Sequence, residues 1–291
     1  MQARTRILSA LCAALLLTSC AEDSTSDPPI AVQADAVKVT VNNNGSGNKQ
    51  TLRFQPTSQD QQATLTVDDG FHQTTSNGDE SPEEIQTMTL PVTANASDER
   101  KVTLTVGTPT YSDSSLNEEL ATAKDFRVSW QGDTTGRIET LEFSAPPNAT
   151  DTARAATERF LQHVLNMPIV FPEEEIGEGA KWQVESRVSG GSTLLQTTTF
   201  IAKKIQGSQV ELDVVVEQRP AVGALPVTDS QGKSMGDLKV LDSKTNSQGS
   251  LVIDLQNPLP KGNIQFTTTV QYGGDSNVTV TQTATTRIAY K

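Results

Sequence analysis

Cysteine is nearly absent from this chain. Of 291 residues only Cys12 and Cys20 are cysteines, and both lie among the first twenty. Residues 21–291 therefore carry no thiol. That excludes a disulfide framework, a thiolate nucleophile and a cysteine metal site from that stretch. Histidine is equally scarce, with His72 and His163 alone. Two separated histidines fall short of the four convergent ligands, or three plus water, that zinc requires. Only 2 Trp and 3 Tyr are present, which is poor in the aromatic platforms that usually flank a glycosidase carboxylate pair. No Gly-x-Ser-x-Gly elbow accompanies the histidines. No glycine-rich phosphate loop precedes a helix, because Gly190-Gly191 and Gly273-Gly274 read as hairpin turns.

Positive charge is also short. There are 23 basic residues against 35 acidic ones, a formal charge of −12. Such a chain is a poor ligand for polyanions, since phosphate binding draws on clustered Lys and Arg. The balance predicts no nucleic-acid partner and disfavours an extended contact with anionic lipid.

The first residues carry an export signal. Arg4 and Arg6 precede an apolar run from Ile7 to Leu17. Spanning a bilayer takes about 20 apolar residues, so this run is too short, but it suits a secretory signal. Leu17-Thr18-Ser19-Cys20 follows, and it resembles the bacterial lipoprotein signal. The resemblance implies cleavage after Ser19 and a diacylglycerol thioether on Cys20, with acylation of the new amino terminus. Removal of residues 1–19 leaves 21 basic against 35 acidic residues, a charge of −14. The expectation is an extracytoplasmic protein held at a cell membrane or envelope by lipid on Cys20. Residues 20–35 read as a lipidated terminus and a disordered tether, with Pro28-Pro29 inside it.

From Ala36 to the end, apolar residues alternate with polar ones and turn residues punctuate them, as half-buried antiparallel strands require. Val37, Val39 and Val41 open the series. Leu52 and Phe54 begin a second strand, and Ala63, Leu65 and Val67 a third that Asp68-Asp69-Gly70 turns. Leu238–Leu241 and Leu251–Leu255 read as a hairpin. Ile264 to Tyr272 and the return from Val278 form the clearest pair, and Gln282 interrupts the apolar side of the return. The expected fold is mainly β, with antiparallel sheets in a sandwich or half-barrel, in one domain over 36–291. Two β-rich halves, about 36–145 and 180–291, flank one helix over about 150–167.

That helix is amphipathic. Ala153, Ala156, Phe160, Val164 and Met167 recur at spacings of three and four. Pro146-Pro147 precedes it, Asn148 or Thr150 can cap it, and Pro168 stops it. Phe160, Leu161 and Val164 are the expected buried residues. They are also the candidate contacts for an apolar ligand lying between helix and sheet.

Other constellations are weaker. His72 follows Asp68 at a spacing that invites a triad, but beside a turn a solvent-facing role fits it better. His163 sits at the edge of the apolar helix face as a boundary residue. Glu173-Glu174-Glu175 with Glu178 makes an acidic loop without the spacing of an EF-hand, and it reads as a solvated turn. No cofactor and no metal is implied.

Leu52-Arg53-Phe54, Gly136-Arg137-Ile138, Pro172 with Ile176 to Trp182, and Gly249 to Asp254 occur in this order across the chain. In them the mature region resembles an uncharacterised family of bacterial secreted proteins and lipoproteins. That family has no settled activity, so the resemblance implies architecture and location only. Asp125 to Phe143 also echoes Asp237 to Leu255, as two related halves or two generic hairpins would. A noncatalytic binding or envelope role is the leading expectation. A carrier of a lipid or other apolar molecule is the alternative, and an unrecognised hydrolase comes third.

Overall fold

Threonine and valine at alternate positions build most of this molecule, because branched side chains suit a pleated, half-buried surface. The computed structural model describes residues 30–97, 101–188, 193–228, 234–274 and 278–291. The stretch expected to be a lipoprotein signal, with Cys20, and the turn expected at Gly190-Gly191 lie outside the described residues. Seven strands belong to the first half: β1 (Ile30–Gln33), β2 (Lys38–Asn43), β3 (Ser46–Gln50), β4 (Gln61–Thr75), β5 (Glu84–Ala96), β6 (Lys101–Val106) and β7 (Thr110–Tyr111). A short helix α1 (Asn117–Leu120) comes next, followed by β8 (Arg127–Gly132), β9 (Ile138–Ser144) and the long helix α2 (Asp151–Leu165). Beyond it are β10 (Ile176–Glu178), β11 (Lys181–Val188), β12 (Leu194–Gln206) and β13 (Gln209–Pro220). The last four are β14 (Ala224–Thr228), β15 (Ser234–Asp254), β16 (Lys261–Gly273) and β17 (Thr279–Tyr290).

The molecule is mainly β, antiparallel throughout, with one substantial helix at its centre. The main sheet runs β1-β9-β8-β6-β5-β4-β17-β16-β15-β13-β12-β11-β2, with β14 added on β15 and β7 on β5. Strands from both β-rich stretches share it, because β4 pairs with β17 from Thr75↔Val280 to Leu65↔Tyr290. The two edge strands, β1 and β2, are neighbours in sequence, separated by residues 34–37 alone. A link of that length reaches at most about 18 Å between Gln33 and Lys38. The sheet therefore curls until its edges nearly meet, yet among the described residues no ladder closes it into a barrel.

Register puts one set of side chains inside the curl. Leu65 and Val67 of β4 face Leu90 and Met88 of β5, and Tyr290 and Ile288 of β17. Val214 and Leu212 of β13 face Phe200 and Ala202 of β12. All are buried. Each buried aliphatic or aromatic side chain contributes about 1.5–3 kcal/mol.

Three of the four motifs that carry the resemblance, all but Gly249 to Asp254 in β15, assemble into a clasp. Phe54 packs on Phe171 (5.4 Å between centroids), Phe171 on Trp182 (5.9 Å), and Trp182 stacks on Phe200 at 5.5 Å. The Trp182 indole donates to the Val170 carbonyl at 2.8 Å, and the Arg53 guanidinium to the Pro172 and Glu173 carbonyls at 2.9 and 3.2 Å. Gly136 holds φ +97°, and a Cβ there would come within 2.2 Å of the Ile169 carbonyl oxygen. Only glycine fits that crossing.

Several expectations need correction. Leu52-Arg53-Phe54 is not a strand but extended chain outside the sheet, with Leu52 buried and Phe54 on the clasp. Asp68-Asp69-Gly70 does not turn the chain: β4 runs straight through it. Both carboxylates find partners on opposite faces of the strand, and Gly70 accommodates Ile85 of β5, whose side chain a Cβ would meet at 3.1 Å. Leu238–Leu241 and Leu251–Leu255 are not a hairpin: all but Leu255 belong to the single strand β15, which β16 flanks along most of its length. The strand continues through Gly249, paired with Ile264, and a Cβ there would lie 3.2 Å from atoms of Ile264 and Val214. The echo between the halves thus pairs a true hairpin, β8–β9, with one continuous strand. Finally, the stretch read as a tether ends in structure, since Ile30–Gln33 pairs with β9.

Candidate functional site

Helix α2 forms where the sequence predicts it. Thr150 caps it, its hydroxyl accepting from the Ala153 amide at 3.2 Å. Ala153, Phe160 and Leu161 are buried and Val164 is half-buried. Phe160 meets Tyr111 edge-on at 5.9 Å. The helix lies against the inner face of the curled sheet, and three hollows surround its last two turns.

The first is apolar, with a volume of about 130 Å³. Leu161, Val164, Leu165 and Met167 line it from the helix side, opposite Leu104 and Ile253. Tyr290 also lines it, and burial pushes the pKa of its phenol up. Asp133 and Arg137 are the charged residues of its lining. Two of the three predicted contact residues, Leu161 and Val164, therefore face a cavity. Phe160 is not among its lining residues and is spent on the packing against Tyr111.

The second hollow is a larger cleft of about 490 Å³. Residues of β4, β17, β16, β13, β12 and β11 line it together with Arg159, Gln162, His163, Asn166 and Met167 of the helix region. Apolar side chains such as Leu194, Phe266, Val270 and Tyr272 make up much of its wall, and a row of amides and hydroxyls runs among them. The Gln196 side-chain amide donates to the Asn166 carbonyl at 2.8 Å, which ties the C-terminal end of α2 to the sheet. The Gln218 amide donates to the Gln196 oxygen at 2.8 Å, and the Thr268 hydroxyl donates to the Gln218 oxygen at 2.9 Å. Thr245 lies 3.0 Å beyond Thr268. Gln196 and Thr268 are buried, so this relay satisfies polar groups that would otherwise cost free energy.

At the cleft's edge Asp69 docks the helix. Its carboxylate lies 3.5 Å from Nε of Arg159 and 3.5 Å from Nε2 of His163. Arg159 also bonds the Gln86 side-chain oxygen and sits 5.1 Å over the Phe160 ring. Burial alone would raise the Asp69 pKa. The hydrogen bond and charge of His163, with the charge of Arg159, more than offset it and hold the carboxyl below its usual range. The third hollow, about 560 Å³, lies where Val32 to Val37 cross between the sheet edges. It shares Gln162 and Asn166 with the cleft and Leu165 with the apolar cavity.

The remaining candidates lie elsewhere. His72 pairs with Glu80 at 3.2 Å, and Asp68 accepts from Thr87 at 2.8 Å. Both face outward from β4, four residues or about 13 Å apart along the strand. Glu173 to Glu175 are exposed, and Glu178 accepts from the Ile205 amide at 3.3 Å. Among the described residues no group of three or more His, Cys, Asp or Glu is placed to hold a metal ion.

The sequence flagged Gln282 but not Gln196, Gln218, Thr268 or Asp69. The signal was there: polar residues recur at apolar parity toward one end of successive strands, Gln218 after Val216 and Thr268 between Phe266 and Val270. Recognising it takes the strand order. No protein-family model matches the chain, and no curated protein matches it as a relative. The resemblance in the clasp motifs rests on those motifs alone.

Proposed function

We propose that this chain is a noncatalytic binding protein of the cell envelope, anchored through lipid on Cys20, and that its ligand is an amphiphile. The supporting observation is that an apolar cavity, and a cleft whose apolar walls carry a row of amides and hydroxyls, share one lining residue, Met167. Ligand sites combine apolar walls with a few placed polar groups in this way. The apolar part of the ligand takes the hollow beside Leu161 and Val164, and the polar part takes the cleft over Gln196 and Gln218. This reading joins the binding role to the carrier alternative: the protein holds an apolar molecule with a polar end.

Native mass spectrometry tests it on mature protein extracted from its own membranes. A bound amphiphile is expected in addition to lipid on Cys20, and Leu161→Gln with Val164→Gln should remove it. A mass accounted for by the acylated chain alone overturns the reading. Anchoring has a separate test: Cys20→Ala should release the protein from the membrane fraction with its fold intact.

A further inference from the structure

We infer that the polar part of the ligand is an uncharged polyhydroxyl group, a glycosyl headgroup rather than a phosphate or an ammonium. The inference rests on the amphiphile reading and concerns the cleft alone. Charges there are already spent. The basic side chains lining it among the described residues are Arg159 and His163, and both sit 3.5 Å from Asp69. A phosphate would have to draw them off and leave a half-buried carboxylate without partners, which is costly. The net charge of the chain adds long-range repulsion. An ammonium group would have to compete for the same Asp69.

The polar groups that the cleft offers freely, among its apolar walls, are amides. Gln218 gives one amide hydrogen to Gln196 and receives the Thr268 hydroxyl, which leaves its second hydrogen. Gln282 donates to Gln73 at 2.9 Å, and its oxygen has no partner among the described residues. A donor and an acceptor without charge match sugar hydroxyls, each of which can donate and accept. Phe71 adds a flat apolar surface at the mouth: it lines the cleft yet is 51 % exposed. The C–H face of a pyranose can lie on such a ring.

The test titrates the full mature chain with dodecyl maltoside, dodecyl phosphate and maltose, each below its micelle concentration where it has one, read by calorimetry. The maltoside is expected to bind at least about tenfold tighter than the phosphate, and maltose far more weakly than either. Equal affinities, or a preference for phosphate, overturn the headgroup inference and leave the amphiphile reading standing. No binding of either dodecyl probe, or maltose binding as tightly as the maltoside, overturns the amphiphile reading itself. In Gln282→Arg a new guanidinium should raise phosphate affinity and narrow the ratio. An unchanged ratio in a variant with native circular dichroism overturns the assignment of the headgroup to this cleft.

Discussion

The inner face of the sheet has two ends built from the same strands, and they differ in what fills the alternate positions. At one end β12 and β13 present Phe200, Ala202, Leu212 and Val214, packed shut around Trp182. Further along the same two strands the inward residues are Gln196 and Gln218, and the face opens into a cleft. Backbone pairing continues unbroken across the change, so the ladder does not set the difference. Side-chain solvation does. Apolar residues gain by excluding water, while amides must find partners or keep it. Where successive strands change composition at the same level, a single sheet holds a core and a site.

The sharpest way to break the comparison is at the packed end. Trp182→Ala removes the stacking on Phe200 and Phe171 and the bond to the Val170 carbonyl. A loss of about 3–5 kcal/mol is expected, as for large buried aromatics elsewhere, measured from the denaturant midpoint. A loss below about 1 kcal/mol would mean the clasp is not the packed centre of this fold.

The polar end should respond in a different way. Gln218→Leu adds apolar surface to the interior but strands the Gln196 oxygen and leaves the Thr268 hydroxyl with Thr245 alone. The expected cost is about 1–3 kcal/mol, the penalty for unsatisfied buried groups. Replacing Gln196 as well should cost less than the two single changes added together, because both partners then vanish. Strict additivity would show that the relay is not a coupled network.

Between the two ends lies the Asp69 dock, and its signature is pH. The folded carboxyl titrates below its unfolded value. The unfolded chain therefore binds more protons between those two values, and stability rises with pH across that window. The contribution is complete above the unfolded carboxylate range and is lost as pH falls through the depressed folded value. Asp69→Asn should flatten this component of the stability–pH curve while costing less at neutral pH than Gln218→Leu. An unchanged curve would show that Arg159 and His163 gain nothing from Asp69.

Much of the fold was legible in the sequence because its signals are local. Alternation at Ile264 to Tyr272 marks a strand whatever its neighbours, and the spacing of Ala153, Phe160 and Val164 marks a helix between a capping threonine and a proline. The errors came where tertiary partners override local chemistry. Asp68-Asp69-Gly70 has turn composition, yet Thr87, Arg287, His163 and Arg159 partner the two carboxylates within a strand. The site was less legible still. Asp69 and His163 are far apart in the chain, and nothing in either segment announces the other. Leu161 and Val164 were visible as apolar helix residues, but the sequence does not say which apolar residue faces a hollow and which, like Phe160, is consumed by packing. The short motifs at Leu52, Gly136 and Trp182 stand out for a structural reason: they build the clasp, away from the cleft floor.

The smallest expected effect on stability sharpens the comparison most. Gln282 lies on the inner face of β17 between Val280 and Ala284, half-buried, with one bond to Gln73. Gln73 is half-buried as well, so water can replace the bond, and Gln282→Leu should shift stability by no more than about 0.5 kcal/mol. A leucine also restores the apolar alternation that the glutamine breaks, which offsets part of the lost bond. If the polar end is a binding surface rather than a looser piece of core, the same substitution should weaken the maltoside without altering the denaturant midpoint. At the packed end the two readouts must fall together, because there a side chain reaches the ligand only through the fold. A Gln282→Leu variant that lost stability and kept its affinity would reverse the assignment and make the amide row part of the core.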